Sequence, residues 1–142
     1  ESNEKIMPTV IEPAGGLTRT LFALLCSSYI EDEVNDATRT LFRFEFDIAP
    51  IQIGILPLSK KDDLIEVSNN IKNLLQESYR TEIDVTQSIG KRYRRQDEIG
   101  TPYCITVDFE TLDDKSVTIR NRDSMEQERV AIADLLNFFS DI

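Results

Sequence analysis

The chain has 142 residues, of which 40% are apolar and 30% charged, and it carries a formal net charge of −10. That length suits one ordinary domain with a short appended piece, and the apolar share can support a core. The absence of histidine excludes Ser-His-Asp and Cys-His nucleophilic catalysis, and no apolar run approaches the roughly eighteen residues of a membrane span.

The start, Glu1 to Lys5, has no initiator Met, basic n-region or apolar h-region, so it reads as a cut inside a longer protein and not as a signal peptide. Met7 to Ile11 suits a short strand, and Glu12-Pro13-Ala14-Gly15-Gly16 a turn. Thr18 to Tyr29 reads as a helix, with Leu17, Leu21, Leu24, Leu25 and Ser28 near one face. Glu31 to Thr40 is acidic and polar and is expected to be a surface connection. Ile48 to Leu58, rich in isoleucine and bounded by prolines, suits a buried strand. Asp62 or Asp63 can cap a helix that carries Leu64, Val67, Ile71, Leu74, Leu75 and Tyr79.

Glu82 to Val85 reads as a short strand, and Ser88 can cap a helix that runs to about Glu98 and ends at Gly100. Pro102 to Phe109 is the best central strand, and a turn at 112–115 leads into an antiparallel partner over Val117 to Arg120. Ser124-Met125-Glu126-Gln127 has the form of a capping box and predicts a last helix with Met125, Ile132, Leu135, Leu136 and Phe139 facing the core. The order β-α-β-α-β-β-α from residue 46 on predicts an α/β fold, a mixed sheet with helices packed against it. Cys26 and Cys104 lie in apolar surroundings, so both are expected to be buried free thiols. Without histidine or a C-x-x-C spacing, no metal site is expected.

Three stretches could carry chemistry. In Ser88 to Gly100, Arg92 with Gln96 and Arg94 with Glu98 stand at i,i+4 spacing. The plain reading is a solvated charged face. The functional reading is a phosphate- and base-contacting element, because arginine forks and stacks while acids accept from base amino groups. The negative net charge opposes binding to phosphate, but the basic run Lys91-Arg92-Tyr93-Arg94-Arg95 sits mid-chain. Its field can prevail within a Debye length of about 8–10 Å. Glu110, Thr111, Arg120 and Arg122 flank the predicted hairpin, either as cross-strand charge pairs or as groups reaching a ligand at the sheet edge. Glu12 to Arg19 is a strand-turn-helix junction where Arg19 could clamp a phosphate, although Gly-Gly turns are common.

Ile89 to Tyr103, then Val107-Asp108-Phe109-Glu110-Thr111-Leu112, then Ser116 to Gln127 together resemble the anticodon-binding domain of the dimeric, class II glycyl-tRNA synthetases. Val10 to Arg19 separately resembles the third signature motif of class II synthetases, with Ala14 where many relatives carry Ser. The resemblance implies a five-stranded mixed sheet with three helices over residues 46–142, preceded in 1–45 by a strand-helix remnant of a catalytic domain. It implies glycine binding by Glu12, Pro13, Ala14, Gly15 and Gly16, and ATP binding by Gly16, Leu17, Thr18 and Arg19. ATP, with Mg2+, and glycine would be substrates of a cytoplasmic homodimeric parent; the chain alone would carry no catalytic residue, cofactor or metal.

The anticodon of tRNA-Gly would be read by Arg92, Arg95, Glu98, Glu110, Arg120 and Arg122, expected to form a single surface that grips unstacked bases. The alternative is a non-catalytic accessory module of the polymerase-subunit type. An independent hydrolase lacks a nucleophile–base pair.

Overall fold

The computed structural model describes residues 5–34, 37–140 and 142. In chain order its elements are α1 (Leu17–Ser28), β1 (Tyr29–Val34), β2 (Ala37–Phe42), β3 (Ile53–Pro57), α2 (Asp62–Leu75) and β4 (Thr81–Ile83). They continue with α3 (Ile89–Ile99), β5 (Tyr103–Val107), α4 (Thr111–Asp114), β6 (Ser116–Asn121), β7 (Gln127–Ala131) and α5 (Leu135–Ser140).

Ile53 and Ile55, Ile105 and Val107, and Val117 and Ile119 occupy alternate positions on β3, β5 and β6, so the two-residue strand period puts all six on one face. Leu64, Ile71 and Leu75 of α2 and Leu135 and Phe139 of α5 close over them. Each such side chain, fully buried, contributes about 1.5–3 kcal/mol. The sheet order is β4-β3-β5-β6-β7, with β3 parallel to both neighbours and β6 and β7 antiparallel. This is the expected mixed sheet, with β5 at its centre. The other face receives α3, and Gly54 makes that possible: a Cβ there would lie 3.0–3.3 Å from the Gln96 side chain.

Four expectations are corrected. The strand at Met7 to Ile11 does not form, since no strand among the described residues offers it a ladder of hydrogen bonds. The supposed surface connection at 31–40 instead supplies 31–34 to β1 and 37–40 to β2, an antiparallel pair whose β2, with Leu41 buried, packs against α3. Ser124 does not cap a helix: its Oγ accepts from Glu126 N at 3.2 Å within a turn, Met125 takes φ 58°, and Gln127–Ala131 pairs with β6 as an edge strand. The last helix starts only at Leu135, so Met125 and Leu136 are exposed while Leu135 and Phe139 are buried. Cys104 is buried, but Cys26 is exposed on α1.

Candidate nucleic-acid interface

Helix α3 ends at Gly100, whose φ of 86° is left-handed, and Ser88 precedes it without a side-chain cap bond. Its charged residues do not simply face water. Arg92 is only 4% exposed. Its Nη1 donates to Pro57 O at 2.5 Å, and Nε and Nη2 donate to Gln87 O at 3.0 and 2.8 Å. It therefore satisfies carbonyls at the C-terminal end of β3 and in the loop after β4. Arg95 is half-buried and pairs with Asp84, adding bonds to Thr86 O and Oγ1. Among the described residues, neither Arg92–Gln96 nor Arg94–Glu98 forms the expected pair.

Arg120 and Arg122, on and just after β6, are also occupied. Arg120 donates Nη1 and Nη2 to the two oxygens of buried Asp97 at 2.9 and 3.1 Å and lies 4.8 Å over the Tyr93 ring. Arg122, 3% exposed, donates to Phe44 O and Gly100 O at 3.0 and 2.9 Å and pairs with Asp123. Three of the six expected readers, Arg92, Arg120 and Arg122, are therefore buried against internal partners, so the six do not form one open surface. Arg92, Arg95 and Glu110 gather toward the C-terminal ends of β3, β4 and β5. Glu98 and Arg122 sit toward Gly100 at the C-terminal end of α3, Glu98 lying six residues beyond Arg92, about 9 Å of rise at 1.5 Å per residue. Glu98 and Glu110 are exposed, and Glu110 precedes α4. The physical reason is that three guanidinium groups satisfy buried acceptors that folding brings together.

A different cluster emerges. Gly90, Tyr93, Arg94 and Asp97, spaced i, i+3, i+4 and i+7, make one stripe of α3. Together with Val34, Arg39, Arg120 and Met125 they line a cleft of about 130 Å³. Among the described residues, Arg94 Nη1 is buried there with no hydrogen-bond partner. An orphaned charged donor is unusual and marks a place where an acceptor would be welcome. Arg39, in contrast, donates to Asp32, to Asp97 Oδ2 at 3.4 Å and to Arg122 O at 2.9 Å. Neither Arg39 nor Arg94 was among the expected readers. The Gly90-Tyr93-Arg94-Asp97 spacing and the Thr38-Arg39-Thr40 alternation were the signals available for them. A larger cavity of about 460 Å³, lined by Ile119, Asn121, Ser124, Glu126, Gln127 and Glu128, opens beside β7.

The electrostatics keep these groups in fixed charge states. Burial pushes the Cys104 thiol up to about 12, so it stays protonated. Burial also raises Tyr93, against the pull of its bond with Thr106. For Asp84, burial opposes ionisation, but bonds from Thr86 and Arg95 outweigh it and hold the carboxyl below the usual 3.8. Asp108 and Asp123 are also lowered, burial being overcome by Arg129 and Thr111 in one case and by Arg122 and Arg43 in the other. A folded value below the unfolded one means stability that is present above about pH 4 and lost as pH falls through the lowered values. Urea unfolding at stepped pH should therefore give a flat free energy from about pH 7 to 5 and a decline below about pH 4. Asp84→Asn should flatten part of that decline.

Glu12, Pro13, Ala14, Gly15, Gly16, Leu17, Thr18 and Arg19 are all exposed, and Gly16 immediately precedes α1. Around them Ile6, Met7, Val10, Ile11, Leu21 and Phe22 present apolar side chains to solvent. Among the described residues no group of three acidic or cysteine side chains could hold a metal ion, and no helix is long and apolar enough to cross a membrane.

Known proteins resemble this chain in both sequence and fold. The family described as "Anticodon binding domain" matches residues 52–142. A glycine–tRNA ligase of Ruminiclostridium cellulolyticum is 54% identical over 139 residues, covering 97% of this chain and 30% of that protein. One from Treponema denticola is 47% identical over 140 residues, covering 95% and 31%. The chain thus spans about 30% of the length of the curated relatives it matches. Among solved structures, prolyl-tRNA synthetase from Cryptosporidium parvum aligns with TM-score 0.67 at 20% identity, over 70% of this chain and 22% of that one. The RNA binding domain of threonyl-tRNA synthetase from Cryptosporidium parvum Iowa II gives 0.63 at 24% identity, over 70% and 25%. These two likenesses bear on the fold, a mixed five-stranded sheet with helices. With half the chain and more inside the family match, the chain belongs to the anticodon-binding domain family.

Proposed function

We propose that this chain recognises the anticodon end of tRNA-Gly as part of a glycine–tRNA ligase. The observation that carries the reading is the 54% identity to such a ligase along 97% of the chain. The accessory-module alternative gains no support from the relatives. In this reading residues 46–142 are the anticodon-binding unit and 1–45 the end of a catalytic domain. The apolar side chains exposed around α1 support that division, because a body of the remaining ligase would cover them.

Within the whole ligase, Glu12 to Gly16 would line the glycine pocket and Gly16 to Arg19 the ATP phosphates. Mg2+ would accompany the ATP, and the cytoplasmic enzyme would be a homodimer. This chain's own part is to hold the RNA. Arg94 offers its free donor to a phosphate or base oxygen, and Arg120 lines the same cleft. Arg95, Glu98 and Glu110 are accessible for further contacts, while Arg92 and Arg122 act by positioning the loops they tie.

Filter binding of tRNA-Gly against a form with changed anticodon bases tests the reading, and equal affinity for both would remove it. Arg94→Met should weaken tRNA-Gly roughly tenfold or more, the worth of a charge-assisted bond. It should also lower the salt slope by about 0.7–1, with thermal stability unchanged.

A further inference from the structure

The family match begins at residue 52, yet two walls of the cleft come from before it, Val34 at the end of β1 and Arg39 on β2. The hairpin is thus an addition to the matched module that reaches into its site. Arg39 is the residue that reaches furthest: its side chain is 2% exposed, and its guanidinium ties three places together. Nε and Nη2 hold Asp32 on β1 at 2.8 and 2.5 Å, and Nη1 meets Asp97 on α3 and the Arg122 carbonyl after β6. Asp97 in turn holds both Nη atoms of Arg120, whose flat face lies over Tyr93. An alternating chain of charges, Asp32–Arg39–Asp97–Arg120, therefore runs from the hairpin surface to the cleft.

We propose that the β1–β2 hairpin is a working wall of the RNA cleft and that Arg39 is its positioning residue, holding Asp97 and through it the orientation in which Arg120 meets an unstacked base. This rests on the RNA reading above. The cleft is far smaller than the roughly 300 Å³ of a typical ligand pocket, so it suits one planar group pressed against guanidinium faces. The fork serves Asp32, Asp97 and the Arg122 carbonyl together from three separate nitrogens; a lysine in its place keeps the charge, but its donors radiate from one nitrogen and cannot span all three acceptors.

Arg39→Lys is therefore the test, with the net charge unchanged. In the 142-residue chain, affinities for tRNA-Gly and for its anticodon-changed form should draw together by roughly tenfold, with most of the loss on the matched RNA. Asp32→Asn, which releases the outer end of the fork, should act in the same direction, and it serves if Arg39→Lys fails to fold. Arg43→Met, on the exposed Arg43–Asp123 pair beside the hairpin, should leave the ratio intact. The Nε–H resonance of Arg120 in the RNA-free protein should shift in Arg39→Lys and stay in Arg43→Met. A folded Arg39→Lys protein with an unchanged ratio, equal losses for both RNAs, or an unmoved Arg120 resonance overturns the inference. Equal binding of both RNAs by the unaltered chain defeats the RNA reading itself, and it is told apart because the Arg120 shift persists.

Discussion

Replacing Gly100 by alanine is expected to lower the free energy of unfolding by about 2–5 kcal/mol, read as a reduced urea midpoint with an unchanged slope. Two costs combine. The residue sits at φ 86°, where any Cβ is strained, and that position lets α3 stop and its last carbonyls find donors: Thr101 N meets Gln96 O at 2.9 Å. The added methyl would also lie 2.4 Å from Phe44 Cδ2 and 2.9 Å from Phe42 O. Phe44 cannot swing freely aside, because it is buried and stacked on Phe42 at 5.3 Å between ring centres. Gly100 O also accepts from Arg122, so the damage would spread to the segment after β6. A change below about 1 kcal/mol would mean that the α3 end and the hairpin exit are more loosely joined than this packing implies.

The second large effect is expected at Asp97. Its carboxylate is almost fully buried and holds Arg120 by both oxygens, with Arg39 behind it. Asp97→Asn keeps the shape and one acceptor but leaves a buried guanidinium without its counter-charge, which costs about 3–5 kcal/mol. Adding Arg120→Met removes the stranded charge, so the double variant should be more stable than Asp97→Asn alone. Arg39 would retain Asp32 and the Arg122 carbonyl in both. Chemical denaturation of the two single variants and the double would read the coupling directly. Additive losses would mean that the two groups do not depend on each other.

Much of the molecule follows from local pattern. Helix α2 lies where its apolar spacing puts it as far as Leu75, with Tyr79 beyond its end and Leu74 exposed, and Lys61, not an aspartate, stands at its cap while Asp62 and Asp63 fall in its first turn. Helix α3 ends at the glycine that its position suggests, and β5 is the centre of the sheet. These elements are legible because periodicity, caps and β-branched runs act within a few residues of one another. The same locality explains two misreadings. Ser-x-x-Gln at 124–127 is a sound helix start taken alone, but β6 offers an open edge, and pairing with it outweighs a capping box. Glu31 to Thr40 looks like a polar loop until Leu41 finds α3, which makes the alternation on that hairpin meaningful.

The candidate site divides along the same line. Residue types and their resemblance to a known family were enough to single out α3 and the β6 end as the unusual surface, because arginine-rich helices flanked by strand ends are rare in composition. Which arginine is free was decided only in three dimensions. Arg92, Arg120 and Arg122 are spent on carbonyls and a carboxylate from β2's exit, β3, β4 and α3, groups distant in sequence. Arg94, one helical step from two occupied neighbours, keeps a donor with no partner among the described residues. The chain's chemistry thus determined that a cluster of cations would exist here, whereas tertiary packing assigned each its partner, since a buried charge takes whatever acceptor the fold delivers within hydrogen-bond reach.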